Sequence, residues 1–167
     1  GCTFCDNGAF TPSYCGGGKS VARQIAEGID FHRNRYRTAQ RYLVYFQSYS
    51  NTYAPPGRLR ALYGEALAHP DVAGIVVGTR PDCMDGATLD LLCDIARDRY
   101  VAVEYGIEST SDRTLRAVNR GHDFDCARRA VERTAARGLP VGAHFILGFP
   151  GETDEQLVGQ TERINAL

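Results

Sequence analysis

Short apolar runs alternate along the chain with longer stretches in which apolar residues recur at helical spacing. The short runs are rich in β-branched and aromatic residues and predict four strands, at 42–46, 74–78, 101–108 and 141–147. The longer stretches predict helices at about 20–36, around 59–67, around 89–95, after 109–112, at about 123–137 and from 153 onward. This alternation predicts right-handed βαβ units around a parallel sheet, either open and doubly wound or rolled into a barrel.

The third strand has one apolar face and one face that is polar or small. The second face carries Ala102, Glu104, Gly106 and Glu108. Two carboxylates and a glycine suit the inside of a wide or incomplete barrel that holds a polar ligand. Since an unpaired buried carboxylate costs several kcal/mol, Glu104 requires a partner. That partner is either a ligand donor or, in a purely structural alternative, Arg80 or an arginine on a neighbouring strand.

Polar residues also collect where the predicted strands end. They occupy 47–53, 79–82, 104–109 and 148–152. Parallel α/β folds bind ligands at the carboxyl ends of their strands, so these segments are expected to surround one site. Cys2 and Cys5 are expected at the same mouth.

Composition narrows the chemistry of that site. The chain has 167 residues, 43% of them hydrophobic, a net charge of -1 and no apolar run of membrane-spanning length. These values indicate one globular domain without a global basic field for nucleic acid. Six cysteines in a chain of this kind favour metal binding in a reducing, cytoplasmic setting over a disulfide framework.

The pair Cys2 and Cys5 allows three functional interpretations. The first is a ligand pair for an iron–sulfur cluster. A structural zinc site would need two further ligands, and neither a second CxxC nor a His–Cys pair occurs. A thiol redox motif would need a helix that begins at the pair, whereas loop-forming residues follow Cys5.

The segment Cys2-Thr3-Phe4-Cys5 resembles the second half of the cluster motif of radical SAM enzymes. Other stretches resemble the Elongator-type radical SAM core and its short YhcC-type bacterial relatives, in the family order, at 45–53, 78–83, 104–109, 119–122 and 144–152. The resemblance implies an α/β fold, a partial (β/α)6 TIM-like barrel. We therefore expect residues 1–167 to be a radical SAM core that is incomplete at both ends and lacks its first and last strands.

The resemblance also implies the cofactors and the reaction. A [4Fe–4S] cluster held by three cysteines binds S-adenosylmethionine (SAM) at its open iron. An external donor such as flavodoxin or ferredoxin supplies the electron that cleaves SAM to a 5′-deoxyadenosyl radical, which abstracts hydrogen from a substrate. Elongator relatives act on tRNA, so tRNA is one candidate substrate. No membrane partner is implied, and the chain by itself is expected to be inactive.

Three departures from the family pattern affect the implied site. Only Cys2 and Cys5 match the cluster motif, so the third cysteine is expected upstream of Gly1, because the spacing of Cys15 does not fit. Residues 47–50 stand where the family usually carries glycine-glycine-glutamate, as they do in the close relatives, and Glu108 stands where many related cores carry a glutamine that faces the SAM ribose. The implied cofactor-binding residues are Phe4, Gln47, Ser48, Tyr49, Ser50, Arg80, Glu104, Gly106, Glu108, Ser109, His144, Ile146 and Gly148. No catalytic residue is implied.

Overall fold

Four parallel strands form a single sheet in the order in which they occur in the chain. They are β1 (Tyr42–Phe46), β2 (Val72–Thr79), β3 (Tyr100–Glu108) and β4 (Val141–Phe145). The computed structural model describes residues 1–167 except for the side chain of Phe10. Because the strand order never reverses, successive right-handed crossovers place their helices on the same face of the sheet. This winding is that of a barrel segment and excludes the doubly wound alternative.

Six helices accompany the sheet. They are α1 (Val21–Arg35), α2 (Pro56–Leu67), α3 (Gly86–Ala96), α4 (Asp112–Ala117), α5 (Phe124–Ala135) and α6 (Asp154–Asn165). Two short 3-10 turns, Asn7–Phe10 and Pro81–Cys83, lie in the connections. Among the described residues, no helix is both long enough and apolar enough to cross a membrane.

Side-chain caps explain where most of the helices begin. Ser20 accepts a hydrogen bond from the Arg23 amide at the start of α1, and Asp123 does the same for the Cys126 amide at the start of α5. Thr153 and Gln156 form a reciprocal capping box at α6, as their spacing predicts. Gly138, at φ 76°, ends the segment after α5 in a conformation that suits glycine.

The helix-covered face of the sheet is the hydrophobic core. Val101, Val103, Tyr105 and Ile107 are all buried there, which confirms the apolar face predicted for the third strand. The predicted end of the fourth strand is wrong by two residues, since β4 ends at Phe145 instead of Leu147. The last link across to β3 runs from the Ile146 amide to the Glu108 carbonyl (2.8 Å), and the chain then turns away at Gly148, whose φ is 86°.

Candidate functional site

A cleft of about 1070 Å³ opens at the carboxyl ends of the strands. All four strand ends contribute to its walls, together with the cysteine loop, which we define as residues 1–5. Twelve of the residues proposed from the sequence line it, namely Cys2, Phe4, Cys5, Gln47, Tyr49, Ser50, Arg80, Glu104, Gly106, Glu108, His144 and Ile146. Ser48, Ser109 and Gly148 do not. The polar segments at the strand ends therefore do meet, as the parallel topology predicts.

The cysteine loop is held at the cleft by backbone and aromatic contacts. The Cys5 amide donates to the Cys2 carbonyl (3.4 Å), which curls the loop. The Phe4 ring packs on the ring of Phe149 with centroids 5.4 Å apart, so the loop is anchored to the segment that follows β4. These contacts turn Cys2 and Cys5 toward the same cleft.

The described residues do not complete a metal site around this pair. Cys83 also borders the cleft, but in the part of the chain that the structure describes no three His, Cys, Asp or Glu side chains come together closely enough to hold a metal ion. Cys15 lies elsewhere, in a second cavity of about 670 Å³ between α1 and β1. In this structure Cys15 is therefore not placed beside Cys2 and Cys5.

Glu104 finds its partners on two other strands. Its Oε2 accepts hydrogen bonds from Tyr45 Oη and from His144 Nε2, each at 2.7 Å. Burial alone raises the pKa of Glu104, but the bonds from Tyr45 and His144 outweigh it and hold that pKa below its ordinary value. Burial and the bond to Glu104 together raise the pKa of Tyr45. The structural alternative in which Glu104 pairs with Arg80 is wrong.

Two glycines make room for this cluster of side chains. A Cβ at Gly78 would lie 3.4 Å from Tyr45 Cε2, and one at Gly142 would lie 2.8 Å from Glu104 Cγ. Glycine at both positions leaves the interior face of the sheet open for large polar side chains. Tyr45 was not among the residues proposed from the sequence, although it begins one of the stretches that carry the family resemblance.

Arg80 pairs with its neighbour Asp82 instead. Its Nε donates to Asp82 Oδ1 (2.9 Å), and its Nη2 contacts the other carboxylate oxygen. The two hydrogen bonds raise the pKa of Arg80. Burial works against ionisation of Asp82, but the Arg80 guanidinium outweighs it and lowers the pKa of that carboxyl. The ion pair stands at the wall of the cleft beside Cys83.

Glu108 and Arg120 form a nearly buried ion pair. Arg120 Nη2 lies 3.3 Å from Glu108 Oε1, and the two side chains are only 9% and 12% exposed. Burial raises the pKa of Glu108, while the charges of Arg120 and His144 oppose that change. Arg120 was missed as a site residue, even though it lies within the stretch 119–122 that resembles the family. The sequence did not predict its contacts, because Arg120 is separated along the chain from both Glu108 and the cysteine loop.

The segment after β1 is fastened to the end of β2. Asn51 Nδ2 donates to the carbonyls of Phe46 (2.9 Å) and Gly78 (2.8 Å). Thr52 Oγ1 lies 2.6 Å from both Thr79 Oγ1 and the Cys83 carbonyl. These bonds present Gln47, Tyr49 and Ser50 to the cleft. The sequence showed an abrupt polar run after the strand. It did not show that Asn51 and Thr52 are the residues that hydrogen-bond this run to the end of β2.

Ser109 and Gly148 belong to a polar network that lies outside the cleft lining and supports the turn after β4. Ser109 is fully buried and donates to Gln160 Oε1 (2.7 Å), so its side chain is not available to a ligand. Glu152 Oε2 accepts from the Gly148 (3.1 Å) and Phe149 (3.0 Å) amides and fixes the turn after β4. The structure thus gives these two residues supporting positions outside the cleft lining.

Comparison with sequence relatives identifies the family of this chain. A family model described as the radical SAM superfamily matches residues 1–159. Protein YhcC of Escherichia coli K12 is 40% identical over 165 residues, covering 98% of this chain and 52% of that protein. The uncharacterized protein MJ0486 of Methanocaldococcus jannaschii is 31% identical over 170 residues, covering all of this chain and 52% of the relative. The chain thus spans about half the length of these relatives.

A more distant relative matches only part of the chain. The tRNA-2-methylthio-N(6)-dimethylallyladenosine synthase of Paracoccus denitrificans is 41% identical over 63 residues, which is 36% of this chain and 14% of that enzyme.

Solved structures agree on the fold. Archaeal Elp3 from Methanocaldococcus infernus superimposes with a TM-score of 0.76 over 87% of this chain and 38% of its own, at 15% identity. The cobalamin-dependent S-adenosylmethionine radical enzyme OxsB, with aqua-cobalamin bound, gives 0.59 over 86% of this chain and 22% of its own. The α/β fold with a parallel sheet is therefore that of the partial barrels in these proteins. With the family match over residues 1–159, this shows that the chain belongs to the radical SAM superfamily.

Proposed function

We propose that this chain carries the cluster- and SAM-binding part of a radical SAM enzyme. The observation that carries the proposal is the convergence of the Cys2–Cys5 loop and four strand ends on one cleft, in a chain of that superfamily. When bound, the cluster supplies the electron that cleaves the sulfonium of SAM and starts hydrogen abstraction from a substrate. The part-length match to a tRNA-modifying synthase supports tRNA as a candidate substrate.

The side chains available as ligands are of the chemical type that an iron–sulfur cluster requires. Cys2 and Cys5 offer two thiol ligands from one curled loop, and thiolates are the usual ligands of iron–sulfur clusters. The third thiolate is proposed to come from upstream of Gly1 in the longer protein. Phe4 and Phe149, packed against each other beside the loop, would help to exclude water from it.

The remaining walls offer groups for SAM. Gln47 and the backbone of Tyr49 and Ser50 provide acceptors for a methionyl ammonium group. Glu108 provides an acceptor for ribose hydroxyls, and Ile146 provides an apolar surface for adenine. Arg80, beside the cysteine loop, provides positive charge near the carboxylate end of the ligand. The cleft lining thus offers both polar groups and an apolar surface, as binding of SAM requires.

The electron is proposed to come from an external donor such as flavodoxin or ferredoxin, and the protein is proposed to act in the cytoplasm. The complete protein, reconstituted anaerobically, should bind about four irons and release 5′-deoxyadenosine from SAM under reduction. Cys2→Ala and Cys5→Ala should abolish both, and Cys126→Ala, a change in a cysteine outside the cleft lining, should preserve both. Stoichiometric zinc without iron uptake would overturn the proposal in favour of a structural zinc module.

A further inference from the structure

A turn between α4 and α5 lies directly against the cysteine loop. We name residues 118–122 the clamp turn. The Thr3 amide donates to the Val118 carbonyl (3.1 Å), and Asn119 Nδ2 donates to the Gly1 carbonyl (3.0 Å). Asn119 has a φ of 56°, a conformation that asparagine adopts more readily than most residues. Two hydrogen bonds thus join segments that lie more than a hundred residues apart in sequence.

The third contact of the clamp turn is with a cysteine sulfur. Arg120 Nη1 lies 3.4 Å from Cys2 Sγ. A guanidinium has only donors, so it meets the sulfur through an N–H and a positive charge. Its position is closely determined, because the side chain is only 9% exposed and also bonds to the Gly106 carbonyl and to Glu108.

Two irregularities in β3 make this position possible. A Cβ at Gly106 would lie 2.7 Å from Arg120 Nη2, so a larger residue there would crowd the guanidinium. The pairing with β4 shifts between Gly106 and Glu108, and Glu108 takes a φ of 75°. Together the glycine and the shift accommodate a buried arginine beside the Glu108 carboxylate.

His122 holds the other side of the guanidinium. Its Nδ1 lies 3.1 Å from the Asp123 carbonyl, which can only accept, so this nitrogen carries the proton. Nε2 of the neutral ring is then an acceptor and receives the bond from Arg120 Nε (3.1 Å). Arg120 is therefore fixed by Glu108 and His122 while Nη1 points at the sulfur.

We infer that the clamp turn docks the cysteine loop and that Arg120 is a positioning residue whose N–H bond to the Cys2 sulfur raises the reduction potential of the cluster. The inference rests on the proposed function, because it requires a cluster at Cys2. A reduced cluster carries one more negative charge than an oxidised one. A nearby N–H donor and positive charge therefore stabilise the reduced form more, and hydrogen bonds to sulfur are a known determinant of cluster potentials.

The first test is a redox titration of the complete, reconstituted protein followed by electron paramagnetic resonance. In Arg120→Gln the ratio of reduced to oxidised cluster at a fixed potential should fall about tenfold, which is a shift of about 59 mV toward more negative potential for one electron. Arg120→Lys keeps the charge but not the fork of donors, so a smaller shift is expected. Arg116→Gln, an exposed arginine on α4, should titrate like the parent.

The outcomes of that titration separate the two proposals. A parent protein that binds no iron–sulfur cluster counts against the proposed function and is seen before Arg120 is altered. A loaded Arg120→Gln protein with the parental potential overturns the inference alone. A variant that folds with parental circular dichroism but holds no cluster supports the docking of Cys2 by Arg120.

A second test needs no cluster and no change in Arg120. Asn119→Gly removes the bond to the Gly1 carbonyl while glycine keeps the positive φ available. In the cluster-free complete protein, the Thr3 amide should exchange its hydrogen several-fold faster in this variant than in the parent, as followed by nuclear magnetic resonance. Asn165→Gly, at the end of α6, is the matched control and should leave Thr3 unchanged. Equal exchange at Thr3 in Asn119→Gly and the parent would show that residues 118–122 do not hold the loop.

Discussion

Tyr45 Oη lies 2.7 Å from Glu104 Oε2 although the whole of β2 runs between their strands. The tyrosine spans the intervening strand at Gly78, which has no side chain to block it. A hydroxyl that donates to a carboxylate favours the ionised form of that carboxylate. The interior of the sheet is therefore organised around a charged Glu104.

Tyr45→Phe should raise the pKa of Glu104 toward its ordinary value and lower the free energy of unfolding by about 1 kcal/mol at neutral pH. Because the folded-state pKa is depressed, the stabilisation is present above pH of about 4.5 and is lost as the pH falls through the folded value. Carboxyl nuclear magnetic resonance and urea unfolding measure the two effects. Tyr53→Phe, in the same cleft but 82% exposed, is the control, and an unchanged Glu104 pKa in Tyr45→Phe would contradict the prediction.

Glu152→Gln should destabilise the chain by about 1–3 kcal/mol. The carboxylate accepts from two backbone amides after β4 and from Thr114 Oγ1 (2.9 Å) and Gln160 Nε2 (2.9 Å). An amide in its place has one acceptor fewer and turns an NH₂ group toward donors. Urea unfolding gives the value, and Glu162→Gln on the exposed face of α6 should change it by less than about 0.5 kcal/mol. Equal effects from the two substitutions would mean that the network does not hold this turn.

Glu108→Ala should weaken SAM binding to the complete protein about tenfold or more, which corresponds to about 1.4 kcal/mol. Glu108→Gln keeps an acceptor for ribose hydroxyls and should lose much less affinity. Isothermal titration with SAM, beside iron content, separates ligand binding from cluster loading. If Glu108→Ala binds SAM as tightly as the parent, the carboxylate serves only as the partner of Arg120.

The stability of the chain should rise with pH in the range below about 6.5, the ordinary pKa of histidine. Burial lowers the pKa of His122 in the folded protein. At a pH between the folded and unfolded values, the unfolded chain therefore binds a proton at His122 and the folded chain does not. Falling pH therefore stabilises the unfolded state, until the folded-state pKa is also passed. Urea unfolding at pH 7.5, 6.5 and 5.5 measures the slope, and His122→Gln should reduce it. A slope that is the same in the variant would assign the effect to other groups.

The strands, the helix starts and the apolar face of β3 were predictable because each depends on residues close together in sequence. Alternation placed Val103 and Tyr105 in the core, and the capping spacing at Thr153 marked the start of α6. The gathering of polar strand ends at one mouth followed from parallel topology alone. The end of β4 was less predictable, since Ile146 and Leu147 continue the apolar pattern while Gly148 turns the backbone.

The tertiary structure alone decided which side chains meet. Glu104 pairs with Tyr45 and His144, which lie 59 and 40 residues away, and not with Arg80. Arg120 reaches Cys2 across 118 residues, and Ser109 turns from the cleft into a buried network. Periodicity records which face a residue occupies, but such pairings depend on strand register, on gaps left by glycines and on the path of distant turns. Those quantities arise only when the whole chain packs.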